Sequence, residues 1–290
     1  LREILTIIIP VKDLFTIVQI LIKHGGFRTA PLDFNYLRAQ SLQHLKEFLP
    51  EHYPVNAESL KKRNPFLFNL LVTVAQIKSG YQTKGGHLIA PNQKLFYVRI
   101  PKAASTSLSQ VMLELVNPAL KNLSLNSTQL NFLADAWMQT QLSTELNTFT
   151  GFTVVRHPVS RLLSVYRDFF LSDTRKPFIY QNYLGGILPQ NLSFDEFVAR
   201  ISHIPDRFKD QHFRPQYLFV RPYQQKGISI HTFKLEEPEK LQEVLAIRLP
   251  HLNKSPESAT IPYTESTLNT IKKVYTFDFE VYGYDQNSEF

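Results

Sequence analysis

The stretch KLFYVRIPKAASTSLSQVMLE, residues 94 to 114, constrains the fold more than any other part of the chain. An apolar, β-branched run stops at Pro101, a short loop follows, and a helical pattern starts in the hydroxyl cluster Ser105, Thr106 and Ser107. The run predicts a buried strand over 95–100, and the spacing predicts a helix over 106–116. FTVVRHPVSRLLSVYRDFF (152–170) repeats the design, with a strand over 149–155, then Arg156, Pro158 and a helix over 159–170. A third unit has a strand over 228–234 and a helix over 237–248, while the capping box Ser193–Glu196 opens another helix. Strand–helix alternation is the pattern of a parallel sheet covered by helices. The expected fold class is therefore α/β, a central parallel β-sheet flanked by helices.

Residues 1–90 read as a mainly helical N-terminal extension packing on the core, and 91–290 as the α/β domain. Pro10 suits a helix start, and Val11, Leu14, Phe15, Val18, Leu21 and Ile22 follow helical spacing. Lys12, Asp13, Gln19 and Lys23 occupy other faces, which argues against a membrane span. Packing against the protein's own core is the first reading of residues 1–25, and peripheral contact with a membrane surface the second. The chain opens on Leu1 rather than methionine, which allows for a leader or anchor removed ahead of it. Asn64-Pro65 is a helix-start signal, and KSGYQTKGGH (78–87) reads as a connector that leaves His87 just before the first strand. The polar excursion over 117–147 and the insertion over 172–192 are long enough to shape a binding cleft.

Composition limits the partners. A net charge of +7 favours polyanions: nucleotides, acidic glycans, nucleic acid or anionic membrane. The chain has no cysteine, which removes thiolate nucleophiles, disulfides and cysteine-bound metal together. That leans toward a reducing compartment, so the expected location is cytoplasmic, with membrane association as a variant and the Golgi lumen disfavoured.

A strand that ends in a tight loop and enters a helix gathers free backbone N–H groups at the positive end of the helix dipole, where an anion binds. Lys102 adds a full charge, and Ser105, Thr106 and Ser107 add hydroxyl donors. The loop is not of the Walker A type. Ala103-Ala104 stands where that loop uses glycine, and the lysine precedes the hydroxyls. Arg156, at the end of the second strand, suits bidentate phosphate contact, and Ser164 can complete its shell, with Arg161 sharing that face at i, i+3. Together these residues describe a two-phosphate site at the carboxyl ends of two parallel strands.

PK-x-x-S-T-S followed by R-x-P-x-x-R-x-x-S resembles the carbohydrate sulfotransferases that use 3′-phosphoadenosine 5′-phosphosulfate (PAPS), in particular the membrane-associated glycan group called family 2. DQHFRPQ (210–216), HTFKLEEPEKLQEVL (231–245) and FDFEVYGYD (277–285) extend the likeness over about 94 to 285. Secretory members often carry cysteines after that histidine, where this chain reads Tyr217-Leu-Phe-Val. The resemblance implies a P-loop-like sulfotransferase fold. In it, Pro101, Lys102, Ala103, Ala104, Ser105, Thr106 and Ser107 hold the 5′-phosphosulfate, and Arg156 and Ser164 the 3′-phosphate. It further implies sulfuryl transfer to a carbohydrate hydroxyl by in-line displacement, leaving 3′,5′-diphosphoadenosine (PAP), with no metal required. Lys102 would neutralise charge on the leaving oxygen. His212, amid Asp210, Arg214 and Pro215, is the first choice of general base, with His157 and then His87 behind it. His87, Arg167 and Arg214, with Arg175, are candidate contacts to the acceptor, which would be a polysaccharide or glycolipid rather than nucleic acid. Two other readings compete: a nucleotide-dependent phosphotransferase and a non-catalytic polyanion-binding module.

Overall fold

A computed structural model describes residues 11–23, 62–68, 70, 71, 73, 85–171, 183–247 and 260–286. The expected connector up to residue 84, most of the 172–192 insertion with Arg175, and Arg248 lie outside these residues. The chain divides into two compact units, Leu1–Thr83 with Tyr166–Asp210, and Lys84–Val165 with Gln211–Phe290.

The second unit is built on one sheet of four strands in the order β1-β2-β3-β4: β1 His87–Ala90, β2 Leu95–Val98, β3 Thr150–Val155 and β4 Ile230–Lys234. β2, β3 and β4 run parallel, as the strand–helix alternation predicts, and β1 is an antiparallel edge. β1 corrects the reading of residues up to 87 as connector. HLIA pairs along its length with β2, so the sheet begins ahead of the expected boundary at 91.

Both faces of β2 and β3 are covered, which is why these two strands read as apolar runs. Leu95, Tyr97, Phe152 and Val154 pack with Leu108, Met112 and Leu113 of α2 (Ser105–Val116) and with Leu130 and Ala134 of α3 (Ser127–Trp137). Phe96, Val98 and Val155 point the other way, onto Phe219, Val220 and Tyr223 of α6 (Tyr217–Gln224), the period-2 alternation of a strand. Gly151 allows this packing, because a Cβ there would lie 2.7 Å from Phe96 Cε1 and 2.8 Å from Ile230 Cδ1. The other α-helices among the described residues of this part of the chain are α4 (Pro158–Tyr166), α7 (Pro238–Leu245), α8 (Glu265–Val274) and α9 (Thr276–Tyr282). Helix α6, with Pro222 inside it, and helix α8 carried no signal in the sequence reading.

In the first unit, α1 (Val11–Lys23) buries Ile17, Ile20 and Leu21 and contacts the turn at Tyr183–Gly185, leaving Phe15 and Ile22 exposed. No helix among the described residues is long and apolar enough to cross a membrane. Helix α5 (Phe194–Ser202) starts at a complete capping box between Ser193 and Glu196, as its sequence signature predicts. Its Phe194 and Phe197 pack on Tyr166, beside the π-helical turn Arg167–Leu171.

Within the sheet unit, the strand ends are tied together by Arg161 of α4, which is 1% exposed. Its Nε donates to the Pro101 carbonyl at 3.0 Å, Nη1 to the Arg214 carbonyl at 2.7 Å, and Nη2 to the Gln211 carbonyl at 2.9 Å. A buried guanidinium is tolerated only when such acceptors surround it, because its desolvation is otherwise uncompensated. Arg161→Ala should lower the unfolding free energy by about 3 kcal/mol or more, since it strands three carbonyls and opens a cavity. Urea denaturation measures this, and a loss under about 1 kcal/mol would show that the tie is dispensable. Gly151→Ala should destabilise by a comparable overpacking of about 1–3 kcal/mol in the same measurement.

Candidate functional site

The loop after β2 turns through two left-handed residues, Lys102 at φ +69° and Ala104 at φ +56°. Neither is glycine, so each carries a steric cost of about 1 kcal/mol that the surroundings must overcome. Buried Ala103 between them joins the apolar cluster under the sheet and anchors the turn. Ala104 is the N-cap of α2 and supplies no side-chain hydrogen bond. The first turn of α2, at Ser105, Thr106 and Ser107, thus presents backbone N–H groups and hydroxyls at an uncapped helix N-terminus, an arrangement suited to an anion. Thr106 Oγ1 lies 3.4 Å from Asn131 Oδ1 on α3. The same Asn131 oxygen accepts from Arg99 Nη2 at 2.6 Å, and Arg99 Nη1 reaches Asp135 at 2.6 Å. The helix of the 117–147 excursion is therefore fastened beside the loop.

The second loop follows β3, whose register with β2 places Val155 and Arg156 at the same end of the sheet. Arg156 Nη1 lies 3.5 Å from the Lys102 carbonyl oxygen, so the two sequence motifs meet. The Arg156 backbone is gripped on both sides by one side chain. Its N–H donates to Gln216 Oε1 at 2.9 Å, and its carbonyl accepts from Gln216 Nε2 at 2.7 Å. Gln216 is fully buried and is held in turn by Asp278 of α9. Asp278 Oδ2 accepts from the Gln216 N–H at 2.8 Å and Oδ1 from the Tyr217 N–H at 2.9 Å.

Burial pushes the Asp278 carboxyl up to about 6 from its usual 3.8, although those two N–H bonds and the Arg161 charge pull it back. The folded state therefore binds this proton more tightly than the unfolded chain. Its contribution to stability is full at low pH and is lost as pH rises from about 4 through about 6. Ser164, two turns into α4, is half-buried, and its hydroxyl makes no hydrogen bond among the described residues.

The other predicted residues scatter. His212 is half-buried in a segment pinned on both sides. The Gln211 and Arg214 carbonyls accept from Arg161, and the Phe213 carbonyl accepts from Tyr275 at 2.5 Å. Through Arg161 this segment shares an anchor with Pro101. The Arg214 guanidinium lies over the Phe219 ring, 5.8 Å from its centroid. Arg167 belongs to the other unit, on its π-helical turn.

His87 is a correction: it lies inside β1, wholly buried, with Nδ1 2.8 Å from the Tyr223 hydroxyl and its ring edge-on to Phe96. Desolvation lowers its pKa to about 4, so it stays neutral, and its full burial keeps it off the surface. His157 is also buried, edge-on to Phe279 and Tyr284, and burial lowers its pKa. No group of three or more His, Cys, Asp or Glu that could hold a metal ion occurs among the described residues.

Sequence reading missed Arg161 as a structural tie, and it missed Gln216 and Asp278 altogether. The last two sit inside the quoted segments DQHFRPQ and FDFEVYGYD, but nothing in either segment announces a partner some 60 residues away.

No curated protein and no solved structure matches the chain at a significant level. The model of one protein family, described as the sulfotransferase family, matches residues 86–285. That span opens just ahead of β1 and closes just after α9, and it takes in both loops, Arg161, Gln216 and Asp278. With more than half its length covered by that match, the chain belongs to the sulfotransferase family.

Proposed function

We propose that the protein transfers the sulfuryl group of PAPS to a hydroxyl of a carbohydrate acceptor, a polysaccharide or glycolipid, by in-line displacement. The observation that carries this reading is the meeting of two anion-suited loops at the carboxyl ends of adjacent parallel strands, 3.5 Å apart between Arg156 Nη1 and the Lys102 carbonyl. The residues fit the donor. The uncapped first turn of α2, with Lys102, Ser105, Thr106 and Ser107, suits the 5′-phosphosulfate. Arg156 and the half-buried hydroxyl of Ser164, which makes no hydrogen bond among the described residues, suit the 3′-phosphate. When bound, the donor supplies an activated sulfuryl group on a phosphate leaving group.

The chain's own residues then position and neutralise. Lys102 compensates the charge that grows on the leaving phosphate oxygen as its bond to sulfur breaks. His212 takes the acceptor's hydroxyl proton as the new S–O bond forms. The positive net charge attracts an acidic glycan, and the cysteine-free composition suits a cytoplasmic setting.

Incubation with sulfur-labelled PAPS and a glycan panel should give labelled glycan. Lys102→Ala should reduce that transfer by about 100-fold or more. PAP should raise the melting temperature of the full chain, whereas ATP with magnesium should not. Stabilisation by ATP with magnesium, with no labelled product, would favour a phosphotransferase. Binding of sulfated glycans that Lys102→Ala leaves intact, again without turnover, would favour a polyanion-binding module.

A further inference from the structure

We propose that Gln216, held by Asp278, is a positioning residue for Arg156 and sets the affinity of the site for the 3′-phosphate of the donor. The inference rests on the donor reading above.

Arg156 follows the last residue of β3, where the sheet's own ladder stops providing backbone partners. The Gln216 side-chain amide continues the ladder by one residue. It pairs with both the N–H and the carbonyl of Arg156, at 2.9 and 2.7 Å, as a neighbouring strand would. With its main chain fixed on both sides, Arg156 has only its side-chain torsions left to order when it meets an anion, which lowers the entropic cost of binding.

Gln216 has no freedom to drift. It is fully buried, its N–H is bonded to Asp278 Oδ2, and the next N–H, of Tyr217, is bonded to Oδ1. The carboxylate thereby caps the start of α6 with both oxygens and aims the amide back at the strand end. Asp278 is itself wholly buried in α9, with Arg161 close enough to favour its charge. A buried carboxylate that weakens the fold when ionised makes a poor stabiliser but a good register pin. The chain from Asp278 through Gln216 lies within the sheet unit, and its hydrogen bonds end on the backbone of Arg156, the residue assigned to the 3′-phosphate. Its disturbance should therefore be felt more at the 3′-phosphate than at the 5′ end.

Calorimetric titration of the full chain with PAP and with adenosine 5′-monophosphate, which lacks the 3′-phosphate, separates the two ends of the donor. Gln216→Ala should weaken PAP binding about tenfold, equivalent to about 1.4 kcal/mol, and change binding of the monophosphate less than about twofold. In an Arg156→Ala background, Gln216→Ala should add little, because the two residues act as one unit. In turnover, the KM for PAPS should rise with kcat little changed.

Should Gln216→Ala fail to fold, Asp278→Asn provides the same test. It keeps the shape but turns one accepting oxygen into an NH2 facing an N–H. Equal weakening of both ligands, additive effects with Arg156→Ala, or no weakening in a folded variant would each overturn the positioning role. If the folded wild-type chain bound no PAP at all, the donor reading itself would fall, and this inference with it.

Discussion

The guanidinium of Arg161 is the interaction on which the sheet unit's working end depends. It is buried, and it donates to the carbonyls of Pro101, Gln211 and Arg214. Those carbonyls belong to the loop after β2 and to the segment that carries His212. One side chain from the helix after β3 therefore fixes the first loop and the 211–214 segment against each other. A lysine could not replace it, since three divergent acceptors need the planar fork. The neighbouring carboxylate of Asp278 balances the buried charge while pinning Gln216 and Tyr217, so the tie and the Arg156 relay share one electrostatic environment.

The missing glycine in PKAASTS now has a physical reading. The loop still makes left-handed turns, but it makes them with Lys102 and Ala104 and holds the strain through buried Ala103 and the Arg161 bond at Pro101. Glycine would visit those angles freely, and many others as well. Residues that adopt them only because the surroundings insist give a loop set in one shape before any anion arrives, which reduces the ordering left to do on binding.

Much of this was legible in the chain, for reasons that differ from residue to residue. β2 and β3 announced themselves because burial on both faces leaves a largely apolar run, and α5 because its capping box is local chemistry. β1 was hidden, since four residues behind two glycines carry no periodicity and only pairing with β2 makes them a strand. Helix α6 was hidden by Pro222. His87 looked like an available imidazole because sequence does not report depth. Arg161 looked like a companion of Ser164 at i, i+3, whereas its direction is set by carbonyls 50 to 60 residues away in the chain. Side chains that act on distant backbone leave no local trace, so the scaffold of the site was less readable than its motifs.

The central claim is that one nucleotide bridges the two loops. A crystal structure of the full chain with PAP tests it most directly. The account predicts the 5′-phosphate against the N–H groups of Ser105, Thr106 and Ser107, and the 3′-phosphate on Arg156 and Ser164. A nucleotide bound elsewhere, or one with its 3′-phosphate directed away from Arg156, would contradict it.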